Sequence, residues 1–174
     1  ARPGGAGLMP RRKAPSWPVW IIFVAATALM TVPLPDAMTP LRPPWATMAL
    51  IYWIMMWPRV FGLGTAWLVG FILDVLQGEL LGQHAMALTV VAYLTLRFHL
   101  QIRIFPLWQL TATVFALLAI EAFILFWIDG VAGNPPVGLA RWTQVLTGAV
   151  LWPPVMAIMD RVRERIEYRD PTFT

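Results

Sequence analysis

An all-α bundle of six transmembrane helices is the fold that this sequence predicts, and three observations carry the prediction. Hydrophobic residues make up 59% of the 174 residues and charged residues 13%, against about 45–50% and about 25% in soluble domains. The mean hydropathy is +0.66, with 10 Trp and 9 Met, more apolar surface than a chain this short can hide from water. The apolar residues also fall into runs separated by Pro-, Gly- or Arg-bearing links. Soluble enzymes and disordered tails are excluded by composition. Disulfide-rich modules, zinc fingers and thiol nucleophiles are excluded by the absence of cysteine.

Residues 1–17 carry Arg2, Arg11, Arg12 and Lys13 among Gly and Pro, which reads as a flexible basic tail. Pro18–Val32 is the first apolar run. A cleavable signal peptide is disfavoured there, because PLPDAMTP follows in place of a small-residue cleavage site. After a Pro-rich link, Trp45–Trp57 and Val60–Leu76 flank Pro58-Arg59. One helix over 45–76 would be about 48 Å long, well beyond a hydrocarbon core of about 30 Å, so a tight helical hairpin turning at Pro58-Arg59 is expected. His84–Leu96, Pro106–Ile128 and Trp142–Met159 complete six spans, with RFHLQIR and DGVAGNPPVGLAR as links. Pro153-Pro154 should kink the last span. The domain layout is a tail over 1–17, a membrane domain over 18–160 and a charged tail over 161–174, in which Arg163 and Glu167 are spaced to pair at i,i+4.

Six spans sort the basic residues. With the N-terminus cytoplasmic, eleven of the 13 Lys and Arg lie on inner segments, and Arg42 and Arg141 are the two outside. This is the positive-inside pattern, and it sets both termini in the cytoplasm. The high pI then reflects topology and anionic lipid, and nucleic acid is not an expected partner.

Ionisable groups inside spans are costly, so each raises a functional question. Asp74 and Glu121 lie in the outer halves of their helices, near Glu79, His84 and Asp129, with Arg42 and Arg141 as the outer bases. One reading is a proton, cation or ligand site. The other is an internal pair or cap, such as Asp74 with His84 or Arg141, that holds the bundle together. Gly70, Asp74, Gly78 and Gly82 are spaced by four, which on a continuous helix puts small residues near one face. In lipid such a face serves either docking or tight internal packing. No HExxH, GxSxG or Ser/Lys pair is present, so no catalytic site, metal or cofactor is expected.

The stretch Gly70–Tyr93, GFILDVLQGELLGQHAMALTVVAY, resembles the bacterial rod shape-determining MreD family. Gly70, Asp74, Gly78, Leu81, Gly82, Ala85 and Leu88 fall on the family's G-x-x-x-D-x-x-x-G-x-x-L-G-x-x-A-L-type pattern, which covers about a seventh of the chain. The resemblance implies a non-enzymatic, multi-pass inner-membrane subunit of the elongasome. This complex inserts side-wall peptidoglycan and maintains rod cell shape. MreC is the implied direct partner, and MreB, RodA and the elongation penicillin-binding protein are indirect ones. A fold similar to the substrate-binding subunits of energy-coupling-factor transporters is also implied.

Two hypotheses follow. A scaffold would present Gly70, Asp74, Gly78, Leu81, Gly82 and Ala85 to MreC or to a second copy. A transporter-like subunit would instead hold a small solute or lipid-linked precursor in a cavity lined by Asp74 and Glu121, with His84 and Arg141 as further buried polar candidates.

Overall fold

A computed structural model describes residues 21, 23–26, 28, 41–133 and 138–169, with the side chains of Arg103, 138–140 and 167–169 outside that set. The described residues are helical, with no strand among them. Helical residues at 21, 23–26 and 28 precede five helices: α1 Trp45–Met56, α2 Leu63–Gln77, α3 Gln83–Ile104, α4 Leu107–Ala132 and α5 Gly138–Arg169. The basic tail over 1–17 lies outside the described residues, as does most of the first apolar run.

The surface is that of a lipid-solvated protein. Large apolar side chains such as Trp67, Ile72, Trp108, Phe123, Trp127 and Val150 are exposed, more than a water-facing monomer carries. Three helical stretches, Gln83–Ile102, Leu107–Ala132 and Arg141–Ile166, are long and apolar enough to cross a membrane. On α4 the exposed indoles of Trp108 and Trp127 are separated by about 28 Å along the helix axis. This matches a hydrocarbon core of about 30 Å with an aromatic belt at each face.

The shortest helix is the most enclosed. Every residue of α1 from Ala46 to Met55 is buried, at 0–1% exposure. An apolar sequence with no polar face demands burial all round. At about 18 Å, α1 is too short to span lipid, but with protein around it the mismatch with bilayer thickness does not arise.

The chain breaks at Trp57–Gly62, where the Pro58-Arg59 turn was expected. Both the start of α1 and the end of α2 face one cavity, lined by Pro44 and Gln77 among others, so the two helices run in opposite directions. They do not form a tight hairpin, however. The extensive contacts are α2 with α3 and α1 with α3, so α3 lies between them. The physical reason is Gly70. A Cβ there would sit 2.5 Å from the Cα and N of Ala85, so α2 approaches α3 backbone to backbone.

The link RFHLQIR, predicted to be polar, is helical, and the link after Ile128 begins as helix. RFHLQIR extends α3 to Ile104 because no Pro or Gly intervenes before Pro106, and Ile102 is buried. Likewise α4 runs on to Ala132 and ends at Gly133 in the left-handed conformation (φ 73°). Helix α5 continues through Pro153 and Pro154 into the charged extension as one 32-residue helix, about 48 Å long. Its Arg163 reaches Asp160 (3.7 Å) and the sulfur of Met56 (2.7 Å). The Glu167 side chain, its expected partner, lies outside the described residues.

Candidate functional site

Asp74 comes first, because it is fully buried at the end of α2. The helix stops at Gln77, and Gly78 (φ 67°) forms its left-handed cap. The chain then turns and α3 starts after Gly82 (φ 97°). The first amide groups of a helix have no partner within it, and where they are buried they need another acceptor. The Asp74 carboxylate supplies the acceptors. Its Oδ2 accepts from the Gly82 N–H (2.8 Å) and Ala85 N–H (3.3 Å), and its Oδ1 from the His84 N–H (2.9 Å). The same Oδ1 lies 2.9 Å from His84 Nδ1.

This corrects the single-face reading of the glycines. Gly78 and Gly82 lie beyond the end of α2, in the turn, where positive φ favours glycine. Gly70 is consumed by contact with Ala85, which is buried. Leu81, at 68% exposure, projects from the turn.

Glu121, on α4, is 6% exposed, and its Oε1 accepts a hydrogen bond from Thr47 of α1 (2.7 Å). Thr47 was missed in the sequence because it sits inside an apolar run. An isolated hydroxyl on an otherwise apolar helix is the signal that could have found it. Arg141, at the start of α5, lies 2.7 Å from Asp129 of α4 and not beside Asp74.

The segment before α1, the α2–α3 turn, α4 and α5 border a cavity of about 230 Å³, whose walls include Arg42, Glu79, His84, Glu121, Arg141 and Gln144. The structure thus brings His84, Glu121 and Arg141 to one space, while Asp74 stands behind His84. Glu79 is held by Gln83 Nε2 (2.6 Å) and lies 3.6 Å from His84 Nδ1. On the other flank of the α2–α3 turn is an apolar groove of about 550 Å³ that includes Leu80, Met86, Phe123 and Trp127. Among the described residues no three His, Asp or Glu side chains form a metal-binding group.

The opposite end of the bundle is basic. Arg59, Arg97, Arg161, Arg163 and Arg165 lie there on turns and helix ends. There too Phe23 meets Phe61 (ring centroids 5.8 Å apart) and the Tyr52 hydroxyl donates to Asp160 (2.6 Å). The start of the described chain and the end of α5 therefore share one end of the molecule.

Comparison with known proteins accords with this architecture. The chain is 26% identical over 148 residues to the rod shape-determining protein MreD of Haemophilus influenzae, covering 83% of this chain and 90% of that protein. No solved structure matches the chain. The profile of the family described as rod shape-determining protein MreD matches residues 11–162, nearly the whole helical bundle, and the chain belongs to that family.

Proposed function

We propose that this protein is a non-enzymatic scaffold subunit of the rod complex in the bacterial inner membrane. In this reading its tails over 1–17 and 161–174 are cytoplasmic, and it binds MreC directly. Through MreC it supports side-wall peptidoglycan synthesis by RodA and the elongation penicillin-binding protein along MreB filaments. The family match across 11–162 is the observation that supports this most. The bundle itself has little mass beyond the membrane with which to recognise a partner, so recognition falls to helix faces and short turns.

Within the predicted partner face, Gly70 and Ala85 are occupied by each other. Gly78 and Leu81 are exposed at the α2–α3 turn, and Gly82 is half-buried, so the turn is the part of that face open to MreC or to a second copy. The test is affinity purification from native membranes, with wild type beside Leu81→Arg. MreC should elute with the wild type and be depleted with the correctly inserted variant. A wild-type eluate without MreC would sink the scaffold reading.

The polar cavity favours a second reading, compatible with the first, in which the bundle also holds a small ligand. An ATPase module in the eluate would favour a transporter-like role.

A further inference from the structure

The flanks of the bundle differ in how much bilayer they can face. Helix α2 has 15 residues and is about 22 Å long. Irregular backbone bounds it at both ends, with Arg59 and Val60 exposed in the turn before it and Gly78, Glu79, Leu80 and Leu81 exposed after it. An arginine side chain can stretch to an interface, but turn backbone cannot, and lipid-exposed irregular backbone does not occur within hydrocarbon. The hydrocarbon beside α2 is therefore no thicker than about 22 Å, and tilt reduces it further. The neighbouring α3 gives a similar figure, because the exposed Arg97 lies about 21 Å from Gln83 along the helix axis.

Helix α4 faces a different depth. Its exposed residues, from Leu107 and Trp108 to Trp127 and Val131, include no charged one, and the two indoles stand about 28 Å apart. That suits an ordinary core of about 30 Å.

An exposed apolar face on a membrane helix is covered by lipid or by another helix, and two features of α2 select lipid. Among α1 to α5, it packs extensively only on α3. Its exposed residues Leu63, Trp67, Leu68, Ile72, Val75 and Leu76 spread over more than half of the circumference at 3.6 residues per turn. A single partner helix lies along a narrower stripe, so this flank meets lipid in any case. Lipid that meets it is short or compressed.

We propose that the bundle is a hydrophobic wedge, in which a thinned annulus enriched in short-chain phospholipid covers the α2 flank while bilayer of ordinary thickness covers α4. The inference requires only that the helices span a membrane, and it stands independently of the scaffold and small-ligand readings. Short acyl chains are drawn to α2 because they match that face without deformation.

The test uses the full-length protein in phosphatidylcholine vesicles with 18-carbon chains. The chain contains no cysteine, so a nitroxide can be placed singly at Leu63 or Leu76 on α2 and at Leu107 or Val131 on α4. Its depth is read from collisions with oxygen and with a water-soluble nickel complex. The α2 positions are about 20 Å apart along their helix and the α4 positions about 36 Å, yet all four labels should read at the level of the head groups. In a bilayer of even thickness the two α2 labels would together lie about 10 Å deeper, and that result overturns the proposal. Gly64, with nothing within 4 Å of its Cβ position, replaces Leu63 if that variant does not fold. Strong dipolar broadening from a label at Leu68 would show a second copy on the face and would also overturn it. In vesicles of 22-carbon chains, brominated 14-carbon phosphatidylcholine should quench a fluorophore at Leu68 at least twofold more than one at Phe115 of α4. Equal quenching would sink the enrichment of short chains.

Discussion

Asp74 and His84 are joined twice. One carboxylate oxygen accepts from the His84 backbone N–H and lies within hydrogen-bond distance of its imidazole, both at 2.9 Å. The other oxygen serves Gly82 and Ala85. Asp74→Ala would leave three amide groups at the start of α3 without an acceptor, at about 1–3 kcal/mol for each group that finds no other partner. Asp74→Asn should cost less, because the amide keeps one acceptor. Thermal unfolding in detergent should rank wild type above Asn above Ala. An Ala variant as stable as wild type would remove the capping role.

Gly70 is where α2 and α3 touch. In Gly70→Ala the new Cβ meets Ala85 backbone at 2.5 Å, which flexible side chains cannot relieve, and a loss of about 1–3 kcal/mol is expected. Gly64→Ala is the control. Nothing lies within 4 Å of its Cβ position, and alanine in a helix is favoured over glycine by about 0.5–1 kcal/mol. The two variants should move the unfolding midpoint in opposite directions.

The Arg141–Asp129 contact is mostly buried, with side-chain exposures of 15% and 8%. Breaking such a pair from one side costs about 3–5 kcal/mol when the partner charge is stranded. Arg141→Gln and Asp129→Asn should each destabilise strongly, and the double variant by less than their sum. A double-mutant cycle with no coupling would show the contact to be energetically idle.

Thr47→Val preserves shape and removes the hydroxyl that meets Glu121 at 2.7 Å. The loss should be about 1–3 kcal/mol. Combined with Glu121→Leu, which removes the acceptor as well, most of it should be recovered.

The chain contains no cysteine, so single cysteines can report topology directly. Cysteine at Leu81, on the cavity end, should react with a membrane-impermeant maleimide in spheroplasts. Cysteine at Arg165, on the basic end, should react only after permeabilisation. The reverse pattern would invert the proposed orientation.

Much of this was legible in the sequence, and the reason is physical. Apolar runs are a response to the bilayer, which acts on every residue separately, so the helices from α1 to α5 and the Pro58-Arg59 break could be read one residue at a time. The acids at 74 and 121 were also visible, because charge is rare in such runs. What could not be read is pairing across the fold. Asp74 finds His84 and Arg141 finds Asp129 through helix placement, and Thr47 acquires meaning only when α4 lies against α1. The glycine spacing misled because a period of four reads as one face only while the helix continues, and α2 ends at Gln77. The link after Leu96 was read as a break on polarity alone, although it contains no residue that stops a helix.

The enclosure of α1 bears on how the molecule is made. This helix leaves the ribosome ahead of α3, α4 and α5, the elements that surround it. Until they arrive, a segment of about 18 Å faces lipid it cannot properly match. The early centre is sealed late, and the bond from Tyr52 to Asp160 forms only when the last helix is in place. A nascent chain halted after α4 would therefore expose its most apolar segment to the cell's quality control.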